Sequence, residues 1–424
     1  MKIRRPRAFF CIVLLMLYIC TTSFWKFIYI NSAIRYASVL LCAFLALSYI
    51  RGSYIKKDDL VTFIIAAFVL VNNQDVAHGD YFFLMIFVVS FIAYFSFRDN
   101  QDVVRIGFNC FLIAGIIYAL FTFICYAFPA FYLNTILPIF ESENQYKLMI
   151  SYNRGAVAGI AKHYTLNAYY ILMGILVCVS QIFSEGKKNN KRYFFLVIIL
   201  FVALLLTGKR GHVIFGAAAI IVLYYYYNSD KKHGRIFKIL CLTLAVMVLF
   251  LILRNFIPGI NLFVERFIET YESNNITMGR DALYVVAWEI FINNPILGVG
   301  WGGFVYAYEA LTASVFAAHN IYLSLLCETG VVGFTVFVGW FIYNLYQTIK
   351  TYSLIRKRHM VDGKCLFALN ISLSYQVLFV LLGISENPLY DVETIVPYFL
   401  AILAVKQVKR ILSQGEFNAA QKNT

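Results

Sequence analysis

Charged residues in this chain come in short clusters, separated by long runs that are almost wholly apolar. That alternation constrains the fold more than any motif does. An apolar run of about 20 residues bounded by charge matches the thickness of a bilayer. In lipid every backbone N–H and C=O must be satisfied inside the segment, which favours helices. The runs fall at 8–24, 34–50, 59–71, 81–97, 104–128, 164–183, 193–207, 212–227, 237–257, 320–346, 365–384 and 390–408. Composition agrees: 61% of the residues are hydrophobic, 14% are charged, and the mean hydropathy is +0.73. A soluble domain is nearer half apolar and a quarter charged. The expected fold is an all-α polytopic membrane protein, a single integral domain over 1–424 with about 12 transmembrane helices.

The loops set an orientation. With the N-terminus inside, inner segments hold 26 of the 36 Lys and Arg, and outer segments hold 14 of the 22 Asp and Glu. Every alternate loop then obeys the positive-inside rule. The run 59–71 is short for a span, but removing it would invert all later loops. Twelve spans put both termini in the cytoplasm. Lys2, Arg4, Arg5 and Arg7 precede the first run, and no small-x-small cleavage site follows. That run therefore reads as an uncleaved span rather than a signal peptide or a twin-arginine leader.

The net charge of +14 suggests nucleic acid only until its distribution is considered. The cations cluster between hydrophobic runs and are not interleaved with aromatics along a soluble face, so no nucleic-acid partner is expected. The nine cysteines lie in or beside apolar runs, with no C-x-x-C and no Cys/His metal spacing, and read as small core residues. No internal repeat or low-complexity tract is seen.

Two outer segments are long, 129–163 and 258–318. The second holds two amphipathic stretches expected at the membrane interface, 261–271 and the helix that follows Met278. In the latter, Leu283, Val286, Ala287, Ile290 and Phe291 share one face, while Arg280, Tyr284 and Trp288 lie at i+4 steps on another. Asn294-Pro295 ends this helix. Gly298, Gly300, Gly302 and Gly303 follow, and His319-Asn320 then stands at the mouth of a long apolar helix carrying Glu328, Gly330 and Gly333. Gly298-x-Gly300-x-x-Gly303 fits the dinucleotide fingerprint by letter, but it follows no strand, so the glycines read as a tight turn.

This order resembles the C-terminal signature of the O-antigen ligase/polymerase superfamily: an Arg opening an amphipathic helix, a Trp within it, then Asn-Pro, Gly-x-Gly, His-Asn and Glu-x-Gly-x-x-Gly. Leu206-Thr-Gly-Lys209-Arg210-Gly211 is similar to a second family element, and Ser151-Tyr-Asn-Arg154-Gly with Gly159 and Asn167 to a looser one. The resemblance covers roughly 195 to 350. It implies a membrane glycosyltransferase on the outer face of the bacterial cytoplasmic membrane. Its donor would be a glycan on undecaprenyl pyrophosphate, and its acceptor another lipid-linked sugar (polymerase) or a terminal lipid or cell-wall sugar (ligase). Polymerase is the favoured reading.

Individual residues fit that chemistry. Lys209 and Arg210 occupy a very short outer turn, where orientation gives no reason for cations and phosphate does. The resemblance makes Arg280 a second holder of the departing pyrophosphate, against a structural alternative of an ion pair with Glu272 or Asp281. It makes His319 the group that assists the attacking hydroxyl, since an imidazole suits that proton near neutral pH. Arg154 and Glu386 are further substrate-binding candidates, Glu386 on the acceptor side. Glu328, placed nine residues along the same helix as His319 and hence on its opposite face, reads as structural. No metal and no cofactor are expected. His78 and His163 have no assigned role. The competing class is a lipid-linked oligosaccharide transporter, disfavoured by the lack of a repeat and by the scarcity of ionisable groups in the spans.

Overall fold

The computed structural model describes residues 32–48, 59–71, 73–78, 81–97, 101–184, 190–228, 280–357 and 362–422, with scattered positions between 252 and 272. The expected spans at 8–24 and 237–257 lie essentially outside the described residues, as does most of the amphipathic stretch 261–271. Among the described residues the fold is helical: α1 (Ser32–Leu47), α2 (Leu60–Val71), α3 (Gln74–Ala77), α4 (Phe82–Ser96), α5 (Gln101–Ala127), α6 (Ser142–Asn153), α7 (Tyr164–Ile182), α8 (Asn190–Leu206), α9 (Arg210–Tyr227), α10 (Asp281–Asn293), α11 (Gly303–Thr312), α12 (Ile321–Lys357), α13 (Gly363–Leu382) and α14 (Val392–Lys422). The protein is an integral membrane protein. Four of these helices, α5, α7, α12 and α13, are long and apolar enough to cross a bilayer, and α2 and α4 are shorter apolar helices.

The interior is organised on α7. Residues Asn167–Gln181 of this helix are buried, and it packs on α5, α8, α9 and α13. Lipid-soluble helices gain nothing from burying apolar surface against each other and associate through close packing instead. Gly115 on α5 and Gly174 on α7 meet this requirement. A Cβ at Gly115 would stand 2.7 Å from the Tyr170 carbonyl oxygen and 3.1 Å from the Gly174 Cα. By contrast Ile113, Ile117 and Leu120 on the far side of α5 are exposed, as a lipid-facing surface should be.

Helix ends sort into two sets. At one end, buried Asp59 pairs with Lys406 and accepts a hydrogen bond from the Tyr94 hydroxyl, and Gln407 donates to the Phe97 carbonyl at 3.0 Å. A cavity of about 240 Å3 beside them is lined by Asp102, Arg105, Gln181, Asp362 and Lys364 among others. At the opposite end, Gln74 N–H donates to Trp301 O, Val157 N–H to Leu206 O, and Ile321 N–H to Gly383 O. This sorting is what alternating spans require.

The segment 129–153 is helical but irregular: one turn at Pro129–Phe131, a π-helical turn at Tyr132–Ile136, a 3-10 turn at Leu137–Ile139, and then α6. The loop that follows is fixed by Asn167, fully buried, whose amide donates to Thr122 Oγ1 at 2.8 Å and to Val157 O at 2.9 Å. Gly155 and Gly159 in that loop both have positive φ.

Candidate active site

The glycine-rich turn and α12 are interlocked. Helix α10 runs Asp281–Asn293, buries Leu283, Ala287 and Ile290, and stops at Asn294 ahead of Pro295. The chain then enters a break in α12 at Gly330, whose φ of 62° and ψ of −170° interrupt the helix. Groups freed by the break are re-paired by the loop. Val299 N–H donates to Cys327 O at 3.0 Å and Gly300 N–H to Glu328 O at 2.8 Å, while Val331 N–H donates to Pro295 O at 2.9 Å. Backbones approach so closely that a Cβ at Gly298 would lie 2.3 Å from Glu328 C, and one at Gly330 would lie 2.2 Å from Ile296 O. Only glycine fits such positions.

Glu328 completes the lock. Buried at 3% exposure, its carboxylate accepts from Gly302 N–H at 2.8 Å and Phe304 N–H at 3.2 Å, the opening residues of α11, and from the Tyr390 hydroxyl. An anion at a helix N-terminus meets both orphan donors and the helix dipole. The expected structural role of Glu328 is what these contacts describe, although the partner is the glycine turn rather than a neighbouring span. The helical arithmetic relating it to His319 does not hold, because α12 begins at Ile321 and His319 precedes it.

His319 sits in the left-handed region, with φ of 50°. A non-glycine residue pays strain there and stays only if its surroundings fix it. They do: Ala318 before it is buried. Asn320 after it caps α12, its Oδ1 accepting from Tyr322 N–H at 3.0 Å and Leu323 N–H at 3.2 Å. The main chain of Ile321 is tied to Gly383.

The hub of the arrangement is the short turn between α13 and α14. Glu386 pairs through Oε1 with Lys209, and its Oε2 lies 3.9 Å from His319 Nδ1. The guanidinium of Arg280 donates to the adjacent Ser385 carbonyl at 2.8 Å. Burial raises the Glu386 carboxyl, but Lys209 above all, with Arg280, outweighs it and holds the group below the usual carboxylate range. His319 is pushed below the usual imidazole range, first by burial and then by Arg280 and Lys209, with Glu386 opposing. It is therefore neutral at pH 7 and able to accept a proton.

Of the residues singled out from sequence, Lys209, Arg280, His319 and Glu386 come together from four separate segments. Arg210 opens α9 and is half-buried, its charge facing Tyr164 and Glu269. Its neighbour Gly211 packs near the Ser385 hydroxyl, so Arg210 borders the same hub. Only Thr207–Lys209 lie between α8 and α9. For Arg280 the observed partner is a carbonyl, not the ion pair weighed above. Arg154 lies exposed at the C-cap of α6 and has no place in the Glu386 contacts, although its loop abuts Leu206.

Sequence reasoning passed over two histidines. His163 caps α7, accepting from Thr165 N–H at 3.2 Å, and its imidazole feels Lys209, Glu386 and His319. His212, 2% exposed, leaves Nδ1 with no hydrogen-bond partner behind the Lys209–Glu386 pair. A signal for His212 was present, since it follows Lys209-Arg210 by two residues and so opens the same helix. Among the described residues no three His, Cys, Asp or Glu side chains are grouped to hold a metal ion.

The helical bundle with a cation-rich turn cluster at one end defines a class: a polytopic helical membrane protein. Residues 195–338 match the family described as O-antigen ligase, a stretch that holds Lys209, Arg210, Arg280, His319 and Glu328 and stops short of Glu386. Residues 195–338 are thus similar to the O-antigen ligase family, as the motifs indicated. No curated protein matches the chain.

Proposed function

We propose that this chain polymerises undecaprenyl-pyrophosphate-linked glycan repeat units at the outer face of the bacterial cytoplasmic membrane. Both termini lie in the cytoplasm, and 129–163 and 258–318 are the outer segments. The observation that supports this reading is the convergence of Lys209, Arg280 and a backbone-strained His319 on the Ser385–Glu386 turn. The cations there exceed the carboxylates, which suits a pyrophosphate that carries two negative charges in the donor and gains a third as it leaves.

In the reaction an acceptor hydroxyl attacks the anomeric carbon of the donor glycan. The carbon–oxygen bond to pyrophosphate breaks, and the pyrophosphate departs with the electron pair. His319 takes the hydroxyl proton, and Arg210 and Arg280 hold the leaving group. One displacement inverts the anomeric centre. Pyrophosphate leaves readily, so no general acid is required. Lys209 and Arg154 bind the donor's phosphates or first sugar. Glu386 keeps Lys209 and His319 in register, on the acceptor side.

The test is turnover by the purified full chain reconstituted with a lipid-linked glycan. Release of undecaprenyl pyrophosphate with growth of lipid-linked chains supports the polymerase. Release accompanied by transfer to a terminal lipid alone would make it a ligase. Movement of intact donor across the bilayer without release would make it a transporter. Turnover is expected to persist in EDTA, and its loss with rescue by Mg2+ would redirect attention to the outer carboxylates.

A further inference from the structure

The end of the bundle opposite the Glu386 turn holds a cavity that the proposed reaction leaves unused. It measures about 240 Å3 and lies where the starts of α5 and α13, the end of α7 and the middle of α14 meet. Val104, Phe367 and Val408, all buried, form part of its wall. Two carboxylates, Asp102 and Asp362, and two cations, Arg105 and Lys364, also line it. Asp362 and Lys364 are exposed and the other two half-buried, so the charge surrounds the mouth. Helices α5 and α13 are long enough to cross a bilayer and begin here, which sets the mouth at a membrane surface.

Helix capping accounts for part of this charge. Asp362 accepts from Lys364 N–H at 3.3 Å, and Asp102 stands in the first turn of α5, where the helix dipole favours an anion. Capping does not account for Gln181. This residue is 3% exposed and lines the cavity from the end of α7. Among the described residues its side-chain amide has no hydrogen-bond partner. A buried amide without partners bears the full cost of its lost hydration, and such groups are rare unless a ligand or water meets them. Gln407, which is also buried and also lines the cavity, is by contrast engaged, donating to Phe97 O at 3.0 Å.

The lining selects by charge and by size. A lone anion meets repulsion from Asp102 and Asp362, and a lone cation meets it from Arg105 and Lys364. A group with one charge of each sign satisfies both pairs. A primary ammonium offers three donors, enough for the two carboxylates and the Gln181 carbonyl, and a phosphate has oxygens for both cations. The volume is below the ~300–1,000 Å3 of pockets that hold drug-sized molecules, which suits a head group rather than an oligosaccharide. We propose that this cavity binds a phosphoethanolamine group, its phosphate at Arg105 and Lys364 and its ammonium at Asp102, Asp362 and Gln181. The group arrives either as the head of a zwitterionic phospholipid or as the free molecule. Once seated it joins α5, α7, α13 and α14, so binding raises the stability of the bundle.

The experiment follows thermal unfolding of the purified full chain in detergent as phosphatidylethanolamine, phosphatidylcholine, phosphatidylglycerol or free phosphoethanolamine is titrated in. Phosphatidylethanolamine should raise Tm more than phosphatidylcholine, whose methylated ammonium has no donors, and more than phosphatidylglycerol, which has no cation. Gln181→Leu should need about tenfold more phosphatidylethanolamine for the same rise, on the scale of one charge-assisted hydrogen bond, while its Tm without lipid stays level or increases. Asp102→Asn leaves the mouth with a surplus cation and should move the preference to phosphatidylglycerol, a readout that does not depend on Gln181. A rise with free phosphoethanolamine makes the soluble molecule the source, and a rise with the lipid alone makes it the bilayer. Equal rises with all three lipids, no rise with any ligand, or an unchanged preference for phosphatidylethanolamine in both variants overturns the proposal, and the cavity then holds only water.

Discussion

Both ends of the bundle hold a lysine paired with a carboxylate, buried at Asp59 and half-buried at Glu386, and the two pairs differ in what surrounds them. Asp59 is closed off by Lys406 and the Tyr94 hydroxyl, in a setting that joins α14 to the start of α2 and to α4. Glu386 faces Lys209, but His319 and Arg280 also crowd its turn, and a strained backbone presents the histidine. The first pair fastens helices within the bundle. The second gathers more positive charge than its carboxylate can match, on turns rather than inside helices. A buried ion pair is weak evidence of function, whereas a cation surplus around one at a membrane surface points to an anionic ligand.

Four experiments would break or sharpen that contrast. His319→Ala should lower turnover by about 10²–10⁴-fold, the usual worth of a general base, and leave donor affinity nearly intact. Near-wild-type rates would remove the histidine from the chemistry. At the opposite end, Lys406→Met should destabilise the fold by about 3 kcal/mol by removing a cation from the buried Asp59, while turnover per folded molecule stays at the wild-type level. Thermal unfolding and specific activity measured on the same sample decide this, and a specific loss of activity would end the division between the two ends.

Arg280→Ala should weaken donor binding by about 10- to 100-fold, the scale of one charge-assisted hydrogen bond. Arg280→Lys should do nearly as much harm, because charge returns without the planar fork. Full rescue by Lys would mean that a point charge suffices.

The smallest effect concerns pH. His319 is held below the ordinary imidazole range, chiefly by burial, so its neutral form is lost as pH falls through its folded value. The acid limb of turnover should accordingly lie below that of a free imidazole. Glu386 is the group that raises this value, so Glu386→Gln should carry the limb to lower pH, and Lys209→Met should carry it higher. Limbs that stay in place in both variants would detach the Glu386 turn from His319.

Much of this was legible because lipid leaves few choices. Apolar runs bounded by charge announced the helices, and Asn294-Pro295 announced the end of α10. The glycines announced tight geometry but not its purpose. Nothing in a linear reading says that Gly298 and Gly330 approach each other's backbones, and a continuous apolar run from 320 to 346 hides the break at Gly330. The error over Glu328 and His319 has the same origin: helical spacing was extended one residue past the Asn320 cap. Lys209 stood out as a cation in a short outer turn where orientation gives no reason for one, and Arg280 and His319 stood out through the family resemblance. Glu386 was the least conspicuous, as one carboxylate in a short loop, and its central position depends on contacts between segments 67 to 177 residues apart in sequence.

The left-handed backbone at His319 has a consequence for how this protein can change over generations. A glycine would occupy that geometry with less strain, so His319→Gly should match or exceed the wild type in resistance to heat. Selection for robustness alone would therefore discard the histidine, and only selection for the reaction would retain it. A library randomised at position 319 and sorted separately for folded protein and for turnover of the proposed reaction would drift in two directions, with glycine rising in the first pool and histidine in the second.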